Sequence, residues 1–308
     1  MWRQLEASDL VRLLGNTVQE CAELLSEAVY DLRYRHLNRE EKDKLIIRIL
    51  ERIDSPDLSL AGPEGKVRWE KGWQENLDNF VASGYNPGEL TPKYIHPNQP
   101  IRLFGDYVIP HDSHFELSFY ILLRRHLFKK YLPDADAIYE FGCGPAHNLV
   151  ELARMYPDKE LHGLEWAGPS LEIIRLLAQK HGYKVIEHEF NMFTPKDLEV
   201  NPNTAFLEIG AFEQLGKNFE PMLEFMLNKK PKIVVQMDAF LELCNPDNLS
   251  DYLSIKHNTR RNYLRGYLTR LRELEAAGKI QIIKAHKVKC CGLYEDGYSY
   301  VVWEPTIK

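Results

Sequence analysis

Apolar residues recur at steps of three and four positions through most of the N-terminal third of the chain. This periodicity predicts two or three helices between residues 4 and about 54, and a further helix from Val67 to Ala82. Asn38 stands before an acid-rich stretch, so a helix should begin there. We therefore expect residues 1–114 to form a mainly helical N-terminal region that caps a substrate site.

A different pattern follows the proline-rich segment at residues 84–114. Phe115 to Leu132 has helical periodicity, and short β-rich runs then alternate with helical segments. This alternation is typical of an α/β fold with a largely parallel sheet. Residues 247–277 form an insertion of mainly helical pattern, and the second domain is expected to span residues 115–308. The predicted strands lie at residues 137–140, 160–165, 204–209, 232–237, 280–284 and 298–303, with a further one that ends near residue 193.

The stretch from Ala137 to Asn148, AIYEFGCGPAHN, carries the most specific motif. A strand runs into a turn with glycines at 142 and 144, where the lack of Cβ atoms lets a ligand approach the backbone. Glu165 ends the next strand, where a carboxylate can accept both hydroxyls of a ribose. This arrangement indicates a nucleotide-containing cofactor. A dinucleotide fingerprint would also need glycine at position 147, which is histidine.

With an acid before its first glycine, the loop resembles motif I of the class I S-adenosylmethionine (SAM) methyltransferases. The resemblance covers about residues 115–308 and implies a Rossmann-like seven-stranded sheet, mostly parallel, with an antiparallel C-terminal hairpin. It also implies SAM as the cofactor and S-adenosylhomocysteine (SAH) as its product. Glu140 would support the loop and the amino-acid end of SAM, Glu165 would hold the ribose, and Asn191 would accept a hydrogen bond from adenine. The cofactor-binding candidates are Glu140, Gly142, Cys143, Gly144, Asn148, Glu165, Trp166, Asn191, Met192 and Glu208.

Side chains at the ends of the fourth and fifth strands should face the transferred group, because ligands bind beyond the carboxyl ends of such sheets. Glu208 and Asp238 occupy these positions and are candidates to orient or deprotonate the methyl acceptor. His111 and His114 are alternative bases, since histidine titrates near neutral pH. The same pair is equally typical of surface histidines. No third ligand accompanies them, so no metal site is predicted.

Arg261 and Arg265 lie four positions apart, and on a helix they would share one face beside Tyr263. Such a pair can bind a carboxylate or phosphate through parallel hydrogen bonds. A solvated face, with the arginine stems covering neighbouring leucines, fits the pattern equally well. With acids and arginines in one pocket, the substrate would be a zwitterion such as an amino acid. The substrate-binding candidates are Tyr107, Glu213, Arg261, Tyr263 and Arg265.

Composition narrows the possible functions. The net charge of −6 and pI near 6.0 argue against strong sequence-independent binding of nucleic acid, which needs a basic surface. The five cysteines include no C-x-x-C pair, so neither a disulfide framework nor a zinc site is predicted, and a reducing cytoplasm fits best. No apolar run approaches the ~20 residues of a membrane span, and the N-terminus lacks an apolar signal core.

These features predict a SAM-dependent methyltransferase that acts on N or O of a small metabolite. Nucleic-acid methylation is disfavoured, because the fourth strand ends in Glu-Ile-Gly-Ala instead of the Asn/Asp-Pro-Pro-aromatic sequence of base-amine methylation. Protein methylation is a third possibility, and a non-catalytic SAM-binding scaffold is a fourth. An apolar stripe on residues 1–54 leaves open a homo-oligomer formed through the N-terminal helices.

Overall fold

Four helices build most of the N-terminal region. They are α1 (Ala7–Leu14), α2 (Val18–Ser26), α3 (Arg39–Asp54) and α4 (Lys66–Ala82). The structure is a computed structural model that describes residues 1–306. The start of α3 is as predicted: the Asn38 side chain accepts a hydrogen bond from the Glu41 N–H, and the Glu41 carboxylate accepts one from the Asn38 N–H. This reciprocal pair satisfies N–H groups that the first helical turn leaves free.

The same region also contains a four-stranded antiparallel sheet. Its strands are β1 (Arg3–Gln4), β2 (Arg33–His36), β3 (Ile101–Leu103) and β4 (Asp106–Pro110), in the order β1-β2-β4-β3. The helical pattern predicted up to about residue 54 is therefore wrong at β2, and the proline-rich segment contains a hairpin. β2 is 4 residues long and pairs Tyr34 with Pro110. So short a strand, stabilised by a partner distant in the sequence, leaves no local periodicity.

Residues 115–306 form a seven-stranded sheet with helices between its strands. The elements are α5 (Phe115–Tyr131), β5 (Ala137–Phe141), α6 (His147–Met155), β6 (Glu160–Glu165), α7 (Gly168–His181), β7 (Val185–Glu189), β8 (Thr204–Ile209), α8 (Glu220–Lys229), β9 (Ile233–Met237), α9 (Leu249–Arg260), α10 (Tyr267–Ala276), β10 (Ile280–His286) and β11 (Tyr300–Pro305). The strand order is β10-β11-β9-β8-β5-β6-β7. β5 to β9 pair in parallel, and β11 is antiparallel to both its neighbours. The predicted fold class is confirmed.

One strand of this sheet is irregular. On β10, Ile282 pairs with Trp303 and Lys284 pairs with Val302, so the register shifts between them. Ile283 is the extra residue of a β-bulge, which locally increases the twist of the strand.

The centre of the sheet fixes the position of the site. Every residue of β5 and of β8 is buried, as expected for parallel strands covered on both faces. β5 lies between β6 and β8, so successive connections leave it in opposite directions. Ligands bind in the crevice that this reversal opens beyond the carboxyl ends of the strands.

The N-terminal helices pack on the same core as the sheet. Leu10 of α1 and Leu24 of α2 belong to one buried cluster with Leu123 of α5 and Ile138 of β5. Much of the apolar stripe of residues 1–54 is therefore covered within the chain, while Val18, Val29 and Ile47 remain exposed. The homo-oligomer itself stays a prediction.

The insertion is helical, as its pattern predicts. α9 and α10 occupy residues 247–277 and are separated by a non-helical turn at residues 261–266. Within residues 1–306, no helix combines the length and the apolar character needed to cross a membrane. All five cysteines are free thiols.

Candidate functional site

The turn after β5 depends on its two glycines. Both have left-handed backbones, with φ of +67° at Gly142 and +52° at Gly144. A Cβ on Gly142 would lie 2.4 Å from the Cβ of Ala211, and a Cβ on Gly144 would lie 2.9 Å from the Trp73 ring. Side chains at these positions would therefore collide with the loop after β8 and with α4. The turn brings its backbone to the edge of an open cleft.

Glu140 lies at the end of β5 and is fully buried. One of its oxygens accepts a hydrogen bond from Asn148 Nδ2 at 2.5 Å, and the other has no hydrogen-bond partner. Asn148 Oδ1 in turn accepts from Arg124 at 2.7 Å and from the Tyr120 hydroxyl at 3.1 Å. Burial raises the pKa of Glu140 to about 8, because the charged carboxylate is poorly solvated. A buried acceptor oxygen without a partner suits a cationic group on a ligand.

Glu165 lies at the end of β6 and fixes the glycine turn. One carboxylate oxygen accepts from the Gly144 N–H at 3.0 Å, and the other accepts from the N–H groups of Trp166 at 2.8 Å and Ala167 at 3.3 Å. Burial raises the pKa of Glu165 in spite of these bonds. The carboxylate lines the cleft and keeps acceptor capacity for a ligand hydroxyl.

Aromatic and thioether side chains form the far wall of the cleft. The rings of Trp166 and Phe193 are stacked, with centroids 5.5 Å apart and an interplanar angle of 27°. Phe190 and Met192 line the cleft beside them. Asn191 does not line it, because its side-chain oxygen caps the Phe193 N–H at 2.9 Å. The adenine contact of Asn191 stays a prediction, and the wall offers flat apolar surface at this point.

His147 occupies the position where a dinucleotide fingerprint would have glycine. Its ring lies parallel to that of Tyr120, with centroids 6.2 Å apart, and its Nε2 has no hydrogen-bond partner. Burial, and then the charge of Arg124, lower the pKa of His147 well below its usual value, so the ring is neutral. Cys143 also lines the cleft, and burial raises the pKa of its thiol, which makes a thiolate unfavourable.

The N-terminal region covers this first cleft. Trp69 and Trp73 of α4 are stacked at 5.4 Å, and Tyr94 lies in the proline-rich segment. Together with Tyr120 of α5, these rings line the cleft opposite the glycine turn. The cleft encloses about 750 Å³, including solvent space at its mouth. None of the four rings was among the predicted site residues, although the two tryptophans stand one helical turn apart.

A second cleft adjoins the first and shares part of its wall. It encloses about 1870 Å³, open solvent included. Three acidic residues line it, Glu116, Glu213 and Glu295, of which the sequence pattern pointed only to Glu213. The residues common to both clefts are Trp69, Trp73, Tyr94, Tyr120, Ile209 and Gly210.

Three of the predicted substrate residues meet in the second cleft. Glu213, Arg261 and Tyr263 all line it. Burial, reinforced by the nearby charge of Glu295, raises the pKa of Glu213 to about 8, and Arg261 opposes this shift. The Arg261 guanidinium lies 4.3 Å from the centroid of the Tyr263 ring. Glu213 follows three residues after Gly210, which lines both clefts.

Arg265 is not in the cleft. α9 ends at Arg260, so Arg261 and Arg265 lie in the following turn and share no helical face. Arg265 donates a hydrogen bond to Asn262 Oδ1, whereas Arg261 donates to the backbone oxygen and hydroxyl of Ser59. The predicted arginine pair is therefore wrong, and only Arg261 lines the site.

Glu208 and Asp238 have a structural role. Glu208 accepts hydrogen bonds from the N–H groups of Ala211 and Phe212, and Asp238 accepts from those of Glu213 and Ala239. Both are buried, and neither lines either cleft. Their carboxylates hold the turns that follow β8 and β9, and one oxygen of Glu208 has no hydrogen-bond partner. The catalytic roles of both residues and the cofactor contact of Glu208 stay predictions.

The remaining candidates lie away from both clefts. His111 is exposed, with Nδ1 3.1 Å from the Asp31 carboxylate, and His114 has Nδ1 3.4 Å from that of Asp112. Tyr107 is buried beside Arg102. None of these three residues lines either cleft, so the catalytic roles of the two histidines and the substrate contact of Tyr107 stay predictions that the clefts do not support. Among residues 1–306, no three His, Cys, Asp or Glu side chains group as metal ligands.

Comparison with known proteins agrees with this architecture. No protein-family model and no curated protein matches the chain. Among solved structures, the [4+2]-cyclase SpnF aligns over 82% of this chain and 99% of its own, with a TM-score of 0.50 and 12% identity. The fold is that of the class I SAM methyltransferases.

Two further matches carry methyltransferase names. A SAM-dependent methyltransferase from Aquifex aeolicus aligns over 60% of this chain and 89% of its own, with a TM-score of 0.42 and 14% identity. Geranyl diphosphate C-methyltransferase from Streptomyces coelicolor A3(2) aligns over 64% and 82%, with a TM-score of 0.47 and 11% identity. At such identities the similarity concerns the fold alone.

Proposed function

We propose that this protein is a SAM-dependent methyltransferase that methylates N or O of a small molecule held in the second cleft. The observation that carries the proposal is the pair of adjoining clefts at the carboxyl edge of the sheet, which share one aromatic wall. One cleft has the features of a nucleoside site, and the other brings a titratable carboxyl group next to it.

The residues in and directly behind the first cleft fit SAM. Glu140 lies behind the lining residue Asn148, and its partnerless oxygen suits the ammonium group at the amino-acid end. Glu165 suits the ribose hydroxyls, and the rings of Trp166 and Phe193 suit a flat base. SAM, when bound, supplies a methyl group attached to a positively charged sulfur. The glycine turn lets its backbone N–H groups come close to such a ligand.

In the second cleft, the side chains position an acceptor and exclude water. Glu213 is the carboxyl group placed to take the proton that the acceptor loses, because its pKa of about 8 lies near physiological pH. Arg261 and Tyr263 lie beside it and offer donors to an anionic or hydroxylated substrate. The roof provided by α4 favours a small molecule over a polymer, and the mixed charges favour a zwitterionic or anionic metabolite.

A non-catalytic or non-methylating role is the second candidate. A solved structure that aligns over 82% of this chain is named as a [4+2]-cyclase, so this fold also hosts other chemistry. A cyclase would not consume SAM. Conversion of SAM to SAH in the presence of an acceptor therefore separates the two candidates.

The first test is calorimetric titration of SAM, SAH and NADH into the protein, with Glu165→Gln as the variant. Glutamine keeps the size of the side chain but replaces one acceptor oxygen by a donor. We expect SAM and SAH to bind, NADH not to bind, and Glu165→Gln to weaken both SAM and SAH by about tenfold. Failure of SAM and SAH to bind would refute the proposed function. If both bind, acceptors are screened by the mass gain of one methyl group.

A further inference from the structure

The second cleft has charges of opposite sign at its two ends. Its acids lie inside: Glu116 is buried, and Glu213 and Glu295 are partly buried. Three cations lie at the mouth, where Arg52, Arg68 and Lys93 line the same cleft but are exposed. A ligand that spans the cleft therefore meets negative charge at the inner end and positive charge at the outer end.

The inner acids differ in how many hydrogen bonds their carboxyl oxygens accept from the protein. One oxygen of Glu116 accepts from the Gly292 N–H at 2.9 Å and from the Tyr298 hydroxyl at 3.0 Å, so this residue holds the wall. Glu295 Oε2 lies 3.4 Å from His257 Nδ1 and makes no hydrogen bond, although the atom is buried. Glu213 accepts a hydrogen bond from Gln214 on one oxygen. Glu213 and Glu295 therefore retain acceptor capacity toward the cleft.

Arg261 is a cation close to both acids, and it is already engaged, while His257 and Arg102 also lower the pKa of Glu295. Arg261 lies close enough to Glu213 and Glu295 to lower the pKa of both carboxyl groups. Its guanidinium, however, donates to both oxygens of Ser59 and lies over the Tyr263 ring. The carboxyl pair thus lacks a hydrogen-bonded cation of its own, and a ligand ammonium would supply one.

The mouth shows the opposite imbalance. Within residues 1–306, neither Arg52 nor Arg68 forms a salt bridge, and Lys93 pairs with Glu75 at 2.6 Å. Arg68 lies 5.6 Å from the Trp69 ring centroid, at the edge of the aromatic wall. Guanidinium groups without carboxylate partners are suited to bind phosphate or carboxylate.

We propose that the second cleft binds a small zwitterion, with its amine against Glu213 and Glu295 and its phosphate or carboxylate against Arg52 and Arg68. Binding of the zwitterion does not depend on the proposed function. Only the statement that its amine is the methyl acceptor rests on that function. Glu213 lies beside Gly210, which lines both clefts, so the amine end is the end next to the methyl donor. Nitrogen, and not oxygen, is then the methylated atom.

The electrostatics of the inner end agree with nitrogen. The lone pair of a neutral amine forms the new N–C bond while the carbon–sulfur bond of the donor breaks and its electron pair stays on sulfur. Positive charge thereby moves onto nitrogen, and one N–H proton passes to Glu213. Carboxylates and the faces of Tyr94 and Tyr120 stabilise such a cation. The charged oxygen that precedes O-methylation would be destabilised by the same carboxylates.

Three sugars that differ by one group each test the charge pattern. Glucosamine 6-phosphate carries both an amine and a phosphate, glucose 6-phosphate has a hydroxyl in place of the amine, and glucosamine lacks the phosphate. We expect calorimetry on the full chain, without SAM, to show glucosamine 6-phosphate binding at least about tenfold more tightly than either relative. Equal affinities, tighter binding of glucose 6-phosphate, or no binding of any probe up to about 10 mM would overturn the proposal.

Variants assign the two ends. Glu213→Gln should reduce the preference for amine over hydroxyl to about twofold or less, and Arg52→Gln with Arg68→Gln should do the same to the preference for phosphate. Glu224→Gln and Arg272→Gln, both at exposed sites, should leave the ratios unchanged. Glu295→Gln replaces Glu213→Gln if the latter does not fold. Unchanged ratios in the cleft variants would refute the assignment. Because the probes bind without SAM, this proposal and the proposed function fail separately.

Discussion

The buried carboxyl groups at the carboxyl edge of the sheet differ in their donors. Glu208 and Asp238 each accept two backbone N–H groups and hold a turn. Glu140 accepts instead from the side chain of Asn148, which lines the first cleft. Glu140 and Glu208 each keep one buried oxygen without a partner, so the feature that distinguishes Glu140 is its bond to a residue of the cleft.

Glu140→Gln should flatten the pH dependence of stability in the ligand-free protein. The folded-state pKa of Glu140 is about 8, above the ordinary value of 4.5. The wild type therefore loses stability as pH rises from about 5 to 8, at up to about 1.4 kcal/mol per pH unit from this group. The variant lacks this contribution. Urea unfolding at several pH values measures the difference, with Glu224→Gln as the control.

An equal slope in Glu140→Gln and wild type would show that Glu140 is ionised in the folded protein. The partnerless oxygen would then need a protein cation, and the fit to a ligand ammonium would fail.

Glu213→Gln should abolish the part of the pH dependence of methyl transfer that comes from ionisation of Glu213. If Glu213 accepts the acceptor's proton, kcat/KM of the wild type rises about tenfold per pH unit up to about pH 8 and then levels. The variant should lose about 10²-fold in rate and show no inflection near pH 8. The measurement is the pH profile with the acceptor found by screening. An inflection that persists in the variant would assign it to the substrate and not to Glu213.

Sequence reasoning placed Glu140 and Glu165 at the ends of adjacent strands beside the glycine turn, because a motif fixes both their spacing and the backbone around them. It could not foresee the bonds of Glu208 and Asp238, since a strand end in the sequence does not say whether a carboxylate points to the cleft or back to its own turn. Glu295 was out of reach, because it follows no motif and enters the cleft from a loop before β11.

At the scale of elements, α4 connects the N-terminal region to the cofactor cleft. Trp73 lies against Gly144, and α4 also packs on α7. The cover is therefore a fixed helix of the fold, and it contributes ring surface to both clefts.

Trp73→Ala should weaken SAM binding by about tenfold while the chain stays folded, because the aromatic cover over the glycine turn is lost. Val81→Ala, at an exposed position of the same helix, is the matched control. Calorimetry gives the affinity, and circular dichroism gives the fold. Wild-type affinity in Trp73→Ala would show that α4 does not cover bound SAM.

Helices and strands marked by a local sequence pattern were predictable. Strands that form only by pairing with a segment distant in the sequence were not. α3 has a capping box, and the main strands are apolar runs bounded by turns. β2 and β4 carry mixed polar residues and exist through their mutual pairing. The polar, proline-rich character of their surroundings concealed the small sheet.

At the scale of the whole molecule, one core joins the N-terminal helices to the sheet. Leu13 and Leu14 of α1 belong to the same buried cluster as Phe119 of α5 and Leu149 of α6. The division into residues 1–114 and 115–308 therefore describes a change in sequence pattern. It does not separate two units with cores of their own.

Thermal unfolding should accordingly proceed in one transition, and a fragment of residues 115–308 should not fold alone. Removing the N-terminal region exposes the apolar surface of α5, so the fragment should bind a hydrophobic dye and lack a cooperative transition. Calorimetry of both proteins tests this. Two transitions in the full chain, or a fragment with wild-type stability, would contradict it.

The bulge at Ile283 bears on how copies of this protein meet. β10 and β7 are the two edges of the main sheet, where unpaired backbone groups invite another strand. The bulge twists one edge, and acidic side chains at Glu187 and Glu189 charge the other. Both devices oppose edge-to-edge aggregation. Continuation of the main sheet from one molecule into the next is thereby disfavoured.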